Sequence, residues 1–596
     1  MVPQSPRLFL GVRSSATGIA WEHRLSERQE NIALAIAQGH GISDIVARVL
    51  AGRNVGPDTA ERFMDPTIRD LMPDPLTVTD MDRAGERIAQ AIRRRERVAI
   101  FGDYDVDGAC SAALMKRYLD HFGIQSEIYI PDRIFEGYGP NPEAMRELAA
   151  RGASLIVTVD CGTNSAPSIE AATAAGADVV VLDHHQVGGP LPPARAVVNP
   201  NREDDLSGLG YLCAAGVVFM TLVQVSRVLR QAGGPQPPDL LAMLDLVALA
   251  TVCDVVPLVG LNRAFVVKGL LAARRMTNPG VATLARASRI GEPLNPYHFG
   301  FMIGPRINAG GRIGDAALGS RLLTLDDPVE AAKIAETLDR LNSERQAMEQ
   351  VMLAEAKAEA DAELLGGQGP AVLVTANDGW HPGIVGLLAS RLKDHTRRPA
   401  FAISFNSTGI GSGSGRSIVG FDLGRMVREA VDRGLLIKGG GHAMAAGITV
   451  ERSRLGELRA FFEEHAGETV FELRNAESLK IDAAVSADGA TLSLAEELER
   501  AGPFGPGHPQ PMLALPRHRI VNVREVGNGG HLRVELRSEA GGRIPAMAFR
   551  AAESDLGAFL MSSRDIPVHI AGTLSINYWN GSSGAQLRIV DAALAE

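Results

Sequence analysis

The sequence is poor in cysteine, aromatic residues and positive charge, and it has no long apolar run. Its four cysteines, Cys110, Cys161, Cys213 and Cys253, include no CxxC pair, which argues against a zinc ribbon and gives a disulfide framework no support. All four adjoin apolar segments and read as buried thiols. Aromatics make up 5% of the chain, so any base-stacking platform is small. No run reaches the ~18 apolar residues of a membrane span and no secretory signal is evident, so the expected location is cytoplasmic, with no membrane partner. A formal charge of -10 argues against a wholesale polycation. It leaves room for an arginine-lined groove, because a local patch is enough to bind phosphates.

What the sequence does have is length and alternation. At 596 residues the chain exceeds a single core, and three or four domains are expected. Residues 1–75 show helical spacing (ERQENIALAIAQG, ISDIVARVLAGRN) and are expected to pack as a helical segment on the lobe that follows. Over 76–325, the runs RVAIFG, SLIVTV and DVVVL alternate with helical stretches, which predicts βαβ units and a mainly parallel sheet. The charged, Ala-rich stretch 326–367 predicts a long connecting helix, and a second α/β pattern fills 368–467. Short strands with regular turns over 478–596 predict a small β-barrel. The fold class is thus α/β, two lobes joined by a long helix, with a C-terminal barrel.

Three apolar strands run straight into acids: RVAIFG into Asp103-Tyr104-Asp105-Val106-Asp107-Gly108, SLIVTV into Asp160, and DVVVL into Asp183-His184-His185. In an open parallel sheet the carboxyl ends of strands line one crevice, so these residues can converge. Asp254 ends the apolar run LDLVALATVC, where a carboxylate is costly to bury unless it is paired or metal-bound. Each motif alone has a bland reading as a turn, a helix cap or a packed pair; together they predict a metal cluster. Oxygen ligands with imidazole and no thiolate suit Mn²⁺ or Mg²⁺, and the surplus of ligands suits two ions clamping a phosphoryl displacement.

These four motifs resemble those of the DHH phosphoesterase superfamily, and GGGHAMAAG (439–447) resembles the signature of its accessory DHHA1 domain. PRINAGGRIG (305–314), DGWHPGIVGLLASRL (378–392), GSGSGRSIVGFDL (411–423) and AGPFGPGHPQPML (501–513) extend the likeness to the bacterial single-strand-specific exonuclease branch, over nearly all of 75–596. One departure is His508, where that branch usually has Asn. The resemblance implies a 5′→3′ exonuclease of single-stranded DNA, used in recombination and repair, with a C-terminal oligonucleotide-binding barrel. It implies Asp105, Asp107, Asp160, His184 and Asp254 as catalytic metal ligands, Asp103 as a ligand or a partner of one, His185 on the scissile phosphate, and Asp183 orienting a histidine. Arg306, Asn308, Arg312, His381, Ser414, Arg416, Gly440, Gly441 and His442 become candidates for holding the substrate. GSGSGR is expected as an ordered loop around a terminal phosphate. Arg533, Arg537, Tyr578 and Trp579 are the candidates on the barrel. A helicase and a single-strand-binding protein are the expected partners, and the chain is expected to be a monomer. The rival readings are a phosphodiesterase of small nucleotides or short RNA, and a non-catalytic single-strand-binding scaffold.

Overall fold

The computed structural model describes residues 7–132, 136–364, 369–527, 529–579 and 582–595. In the first lobe, strands Ser126–Tyr129, Val98–Gly102, Leu155–Val159, Asp178–Leu182 and Ala196–Val198 lie side by side in that order, all parallel. Val98–Gly102 and Leu155–Val159 are buried at every position, which is why they read as unbroken apolar runs. One face of the sheet (Val98, Ile100, Leu155, Val157) packs with helices Val106–His121 and Ala214–Gln231. The other (Ala99, Phe101, Ile156, Val179) packs with helices Pro142–Ala150 and Ala166–Ala174. The acidic motifs therefore follow the three inner strands at the carboxyl end of the sheet.

Helix Pro328–Leu364, 37 residues long, runs from this lobe to the second. The second lobe holds strands Lys438–His442, Ala445–Glu451, Ile410–Arg416, Ala400–Phe405 and Leu373–Asn377 in that order, with only the last two parallel to each other. Here GSGSGR is not a loop but the central strand. Its glycines alternate, and side chains of the neighbouring strands fill the space that Cβ atoms would take: Phe405 at Gly411, Ile403 at Gly413 and Phe401 at Gly415. PRINAGGRIG, read as a Gly-rich segment, forms helix Gly304–Ile313.

The C-terminal domain is a closed five-stranded barrel. Strands Leu513–Val526, His531–Arg537, Arg543–Ala548, Ser582–Leu594 and Pro567–Trp579 pair in that order, and the last pairs back onto the first. The N-terminal segment differs from expectation. Helices Glu27–His40 and Asp44–Ala51 place Ala33, Ile36, Val46 and Leu50 in one core with barrel residues Leu513, Ile520 and Leu536. Strand Ala20–His23 pairs in parallel with Ser478–Ile481, and buried Trp21 donates from Nε1 to Asp591 Oδ2 at 2.8 Å. Only from about Ile68 onward does this segment join the first-lobe core. The apolar faces of the two helices are covered by the barrel core, while the first sheet is already covered on both faces. No helix among the described residues is long and apolar enough to cross a membrane.

Candidate metal centre

His184 is the hub of the cluster. Its Nδ1–H donates to the Leu212 carbonyl at 3.0 Å, which leaves Nε2 facing inward. That nitrogen lies 3.3 Å from Asp160 Oδ1, 3.7 Å from Asp254 Oδ2 and 3.8 Å from Asp107 Oδ2. Asp103, Asp105 and Asp160 form an adjoining group whose ligand atoms all lie within 4.8 Å of one another. Asp105 caps helix Val106–His121 by accepting from Gly108 N–H at 3.0 Å, and this fixes the start of the helix that carries Asp107 in its first turn. Asp107 accepts from the Ala214 and Ala215 N–H groups at 2.6 and 2.8 Å, the positive end of helix Ala214–Gln231.

Burial pushes the carboxyls of Asp107, Asp160 and Asp254 above the ordinary carboxylate range, and neighbouring carboxylates push them further. Asp254 Oδ2 is buried and accepts no hydrogen bond among the described residues. Such a crowd of buried oxygens, with one imidazole nitrogen aimed at it and no thiolate in the set, fits hard divalent cations. The four thiols remain free; Cys110, Cys161 and Cys213 are buried and Cys253 is half-buried.

Asp183 and His185 sit at the rim. Asp183 Oδ1 accepts from His185 Nδ1–H at 2.7 Å and from the His184 N–H at 2.8 Å, while Oδ2 accepts from Thr163 N–H at 3.0 Å. Burial opposes ionisation of Asp183, but these bonds and the charge of His185 hold it well below the ordinary range. Burial likewise pulls His185 down, yet Asp183 outweighs it and lifts the imidazole to about 9. Asp183 thus contacts the His185 ring and the backbone N–H groups of both histidines.

Four residues of this framework escaped the sequence reading. Tyr138 touches both His185 and Asp160, and Thr163 holds Asp183. Asn199 donates to the His185 carbonyl at 2.9 Å, and Asn201 donates to the His184 carbonyl. The only local signals were a tyrosine between glycines and an Asn-Pro-Asn triplet.

The second lobe faces this cluster. Arg416, Ala445 and His442 share one register row of the sheet. Burial first, then Arg416 and His185, hold the pKa of His442 below its ordinary value, which marks the approach of the two lobes. Arg416 Nη1 donates to Ser414 Oγ at 2.9 Å, and a Cβ on Gly386, in the first turn of helix Val385–Thr396, would lie 3.2 Å from both side chains. Gly440 and Gly441 lie in the strand that ends in His442. Arg312 donates across the lobes to the Gly383 carbonyl at 3.1 Å, and His381 Nδ1 accepts from Gly383 N–H. Helix Gly304–Ile313 reaches the metal loop through Gly311, where a Cβ would come within 2.8 Å of the Tyr104 carbonyl. Asn308 is half-buried on that helix. Arg306 pairs with Asp339 of the connecting helix at 2.8 Å and donates to the Met302 carbonyl.

On the barrel, Arg519, Arg537 and Arg543 are directly opposite one another across three strands, and Arg524 is opposite Arg533. Rows of like charge destabilise a sheet by themselves and mark a surface suited to a polyanion. Tyr578 is exposed, and the side chain of Trp579 lies outside the described residues.

Comparison with known proteins adds independent findings. Family models described as DHH family, N-terminal domain, as DHHA1 domain and as RecJ OB domain match residues 97–251, 369–468 and 481–591. The single-stranded-DNA-specific exonuclease RecJ of Bacillus subtilis is 35% identical over 588 residues, covering 98% of this chain and 72% of that protein. The crystal structure of RecJ in complex with Mn²⁺ from Thermus thermophilus superposes with a TM-score of 0.78 at 28% identity, over 97% of this chain and 79% of that one. The Mg²⁺ complex of the same protein gives a TM-score of 0.72 at 27% identity, over 97% and 78%.

Proposed function

The chain belongs to the RecJ family of single-stranded-DNA-specific exonucleases, and from that premise we propose that it degrades single strands 5′→3′ with two divalent ions at the cluster around His184. It is a metal-dependent hydrolase of single-stranded DNA that serves recombination and repair, and its ions are Mn²⁺ or Mg²⁺. The observation that carries the two-ion reading is the approach of His184 Nε2 to carboxylates from three separate segments, Asp107, Asp160 and Asp254.

In this reading Asp105, Asp107, Asp160, His184 and Asp254 hold the ions, with Asp103 at the edge of the set. When bound, the ions supply Lewis-acid activation of water and neutralise charge on the scissile phosphate. His185, fixed through Nδ1 by Asp183, presents its other ring edge to that phosphate. Ser414, Arg416 and the first turn of helix Val385–Thr396 form a seat for the terminal phosphate, where guanidinium, hydroxyl and helix N–H groups meet. Gly440 and Gly441 let the backbone come close, and His442 closes that seat. Arg312, Asn308 and His381 line the seam between the lobes. The arginine rows hold the outgoing strand by its phosphates, and such contacts tolerate any base sequence. A single chain carries every part, so a monomer suffices. The enzyme works in the cytoplasm, where a helicase and a single-strand-binding protein deliver its substrate.

Single-stranded DNA labelled at either end tests the reading with Mn²⁺ or EDTA. Loss of the 5′ label must come first, and Asp160→Ala must abolish digestion while strand binding persists. Near-normal digestion by that variant overturns the metal-ligand assignment, and early loss of the 3′ label overturns the polarity.

A further inference from the structure

Asp160 is presented to the cluster by an unusual backbone. It follows the apolar strand Leu155–Val159 with φ +61°, a left-handed conformation that costs a non-glycine residue about 1–3 kcal/mol unless its surroundings enforce it. Two hydrogen bonds pin it. Its N–H donates to the Leu182 carbonyl at 3.0 Å, and its own carbonyl accepts from the Tyr138 hydroxyl at 3.2 Å. The same hydroxyl lies 3.1 Å from His185 Nε2 and 3.2 Å from Nδ1, the nitrogen that also meets Asp183, and the tyrosine ring meets that imidazole edge-on at 5.6 Å. One oxygen atom thus touches the backbone that aims a predicted ligand and the ring predicted to meet the phosphate.

Tyr138 is itself held in place. Gly137 and Gly139 on either side of it both have positive φ, 87° and 76°, so the chain turns sharply out and back and carries the side chain over the cluster. Below it, Glu136 accepts from Tyr129 Oη–H at 2.7 Å, Asn141 Nδ2 at 3.0 Å and the Asp132 N–H at 2.8 Å. Glu136 thus anchors the residues beside Tyr138, whose hydroxyl has no hydrogen-bond partner beyond Asp160 and His185 among the described residues.

We propose that Tyr138 is a positioning residue for the nuclease reaction, which its hydroxyl serves by bracing the Asp160 peptide and the His185 ring together. This rests on the exonuclease reading above, and it assigns Tyr138 no contact with substrate. Outer partners of metal ligands typically contribute about 10–100-fold in activity or metal affinity.

The test is Tyr138→Phe, which keeps the ring and removes only the oxygen. With Mn²⁺ and single-stranded DNA, kcat should fall about 10–100-fold while KM for the strand changes little. In the absence of DNA, the Mn²⁺ concentration giving half of the thermal stabilisation should rise. Tyr129→Phe loosens the same loop at its base and should leave kcat near wild type. Wild-type kcat in Tyr138→Phe overturns the proposal, as does a rise in KM with kcat intact, which would mean that the hydroxyl meets the strand itself. An equal loss of kcat in Tyr129→Phe overturns it too, because the loop rather than the hydroxyl would then be responsible. A wild-type protein that digests no single strand sinks the exonuclease reading instead, and the Mn²⁺ titration still decides whether Tyr138 braces Asp160.

Discussion

Replacing Asp254 by Asn should stabilise the metal-free protein and inactivate the enzyme. Asp107 and Asp254 each present an oxygen within 4.8 Å of the other, with His184 between them. Two full charges at that separation repel by about 3 kcal/mol at the effective dielectric of ~20 that suits protein sites. Both carboxyls have their pKa raised, so protonation already relieves part of this repulsion, and the net gain from removing one charge should be about 1–3 kcal/mol. A domain of 150–250 residues gains about 2–4 °C per kcal/mol, so in EDTA the first-lobe transition should rise by roughly 2–12 °C. Excess Mn²⁺ should reverse the order. At a hundred times its dissociation constant an ion stabilises the wild type by about 2.7 kcal/mol, and the variant should lose most of that gain together with nuclease activity. Calorimetry of both proteins, with EDTA and with Mn²⁺, measures all four transitions. A variant that melts below wild type in EDTA would refute the reasoning, since Asp254 would then be an ordinary structural carboxylate.

Two further outcomes follow from the barrel and its joint. Arg533→Ala with Arg537→Ala should weaken binding of a long strand and make its salt dependence shallower by about 1.4 in log–log slope, at ~0.7 per lost phosphate contact; an unchanged slope would remove the barrel face from the strand's path. His508 Nε2–H donates to the Ala501 carbonyl at 2.9 Å, and burial, with Arg263 and Arg53 nearby, holds its pKa down at about 4. The unfolded chain takes up this proton first, so stability is full above about pH 6.5 and is lost as pH falls toward 4, by about 2 kcal/mol between pH 7 and pH 5. Denaturant titrations of wild type and His508→Asn check this, and the variant should lack the loss.

The sequence made the metal centre legible because each central strand is a continuous apolar run that stops at an acid. Burial on both faces of a parallel sheet writes such a run, and the crevice rule supplies the convergence. The connecting helix was legible from length and charge. The strand Ile410–Arg416 was not, since serine and glycine have weak strand preference. Its period-two glycines carried the signal, but their meaning depends on Phe401, Ile403 and Phe405 filling the space beside them. Tyr138, Asn199 and Asn201 act on the histidine pair across gaps of 14 to 47 residues, which local pattern does not report. Arg306 drew notice from its glycine-rich setting, but its ion pair with Asp339 of the connecting helix spans 33 residues, beyond the reach of local pattern.

The core shared between the first helices and the barrel bears on how the protein is made. Ala33, Ile36, Val46 and Leu50 find their partners in residues such as Leu513, Leu536 and Ala592, which leave the ribosome more than 450 residues later. At roughly 5–20 residues per second, the helices wait on the order of half a minute to two minutes with an apolar face uncovered. Synthesis of this chain therefore has a built-in interval of vulnerability to aggregation, and domain-by-domain folding from the N-terminus cannot close it.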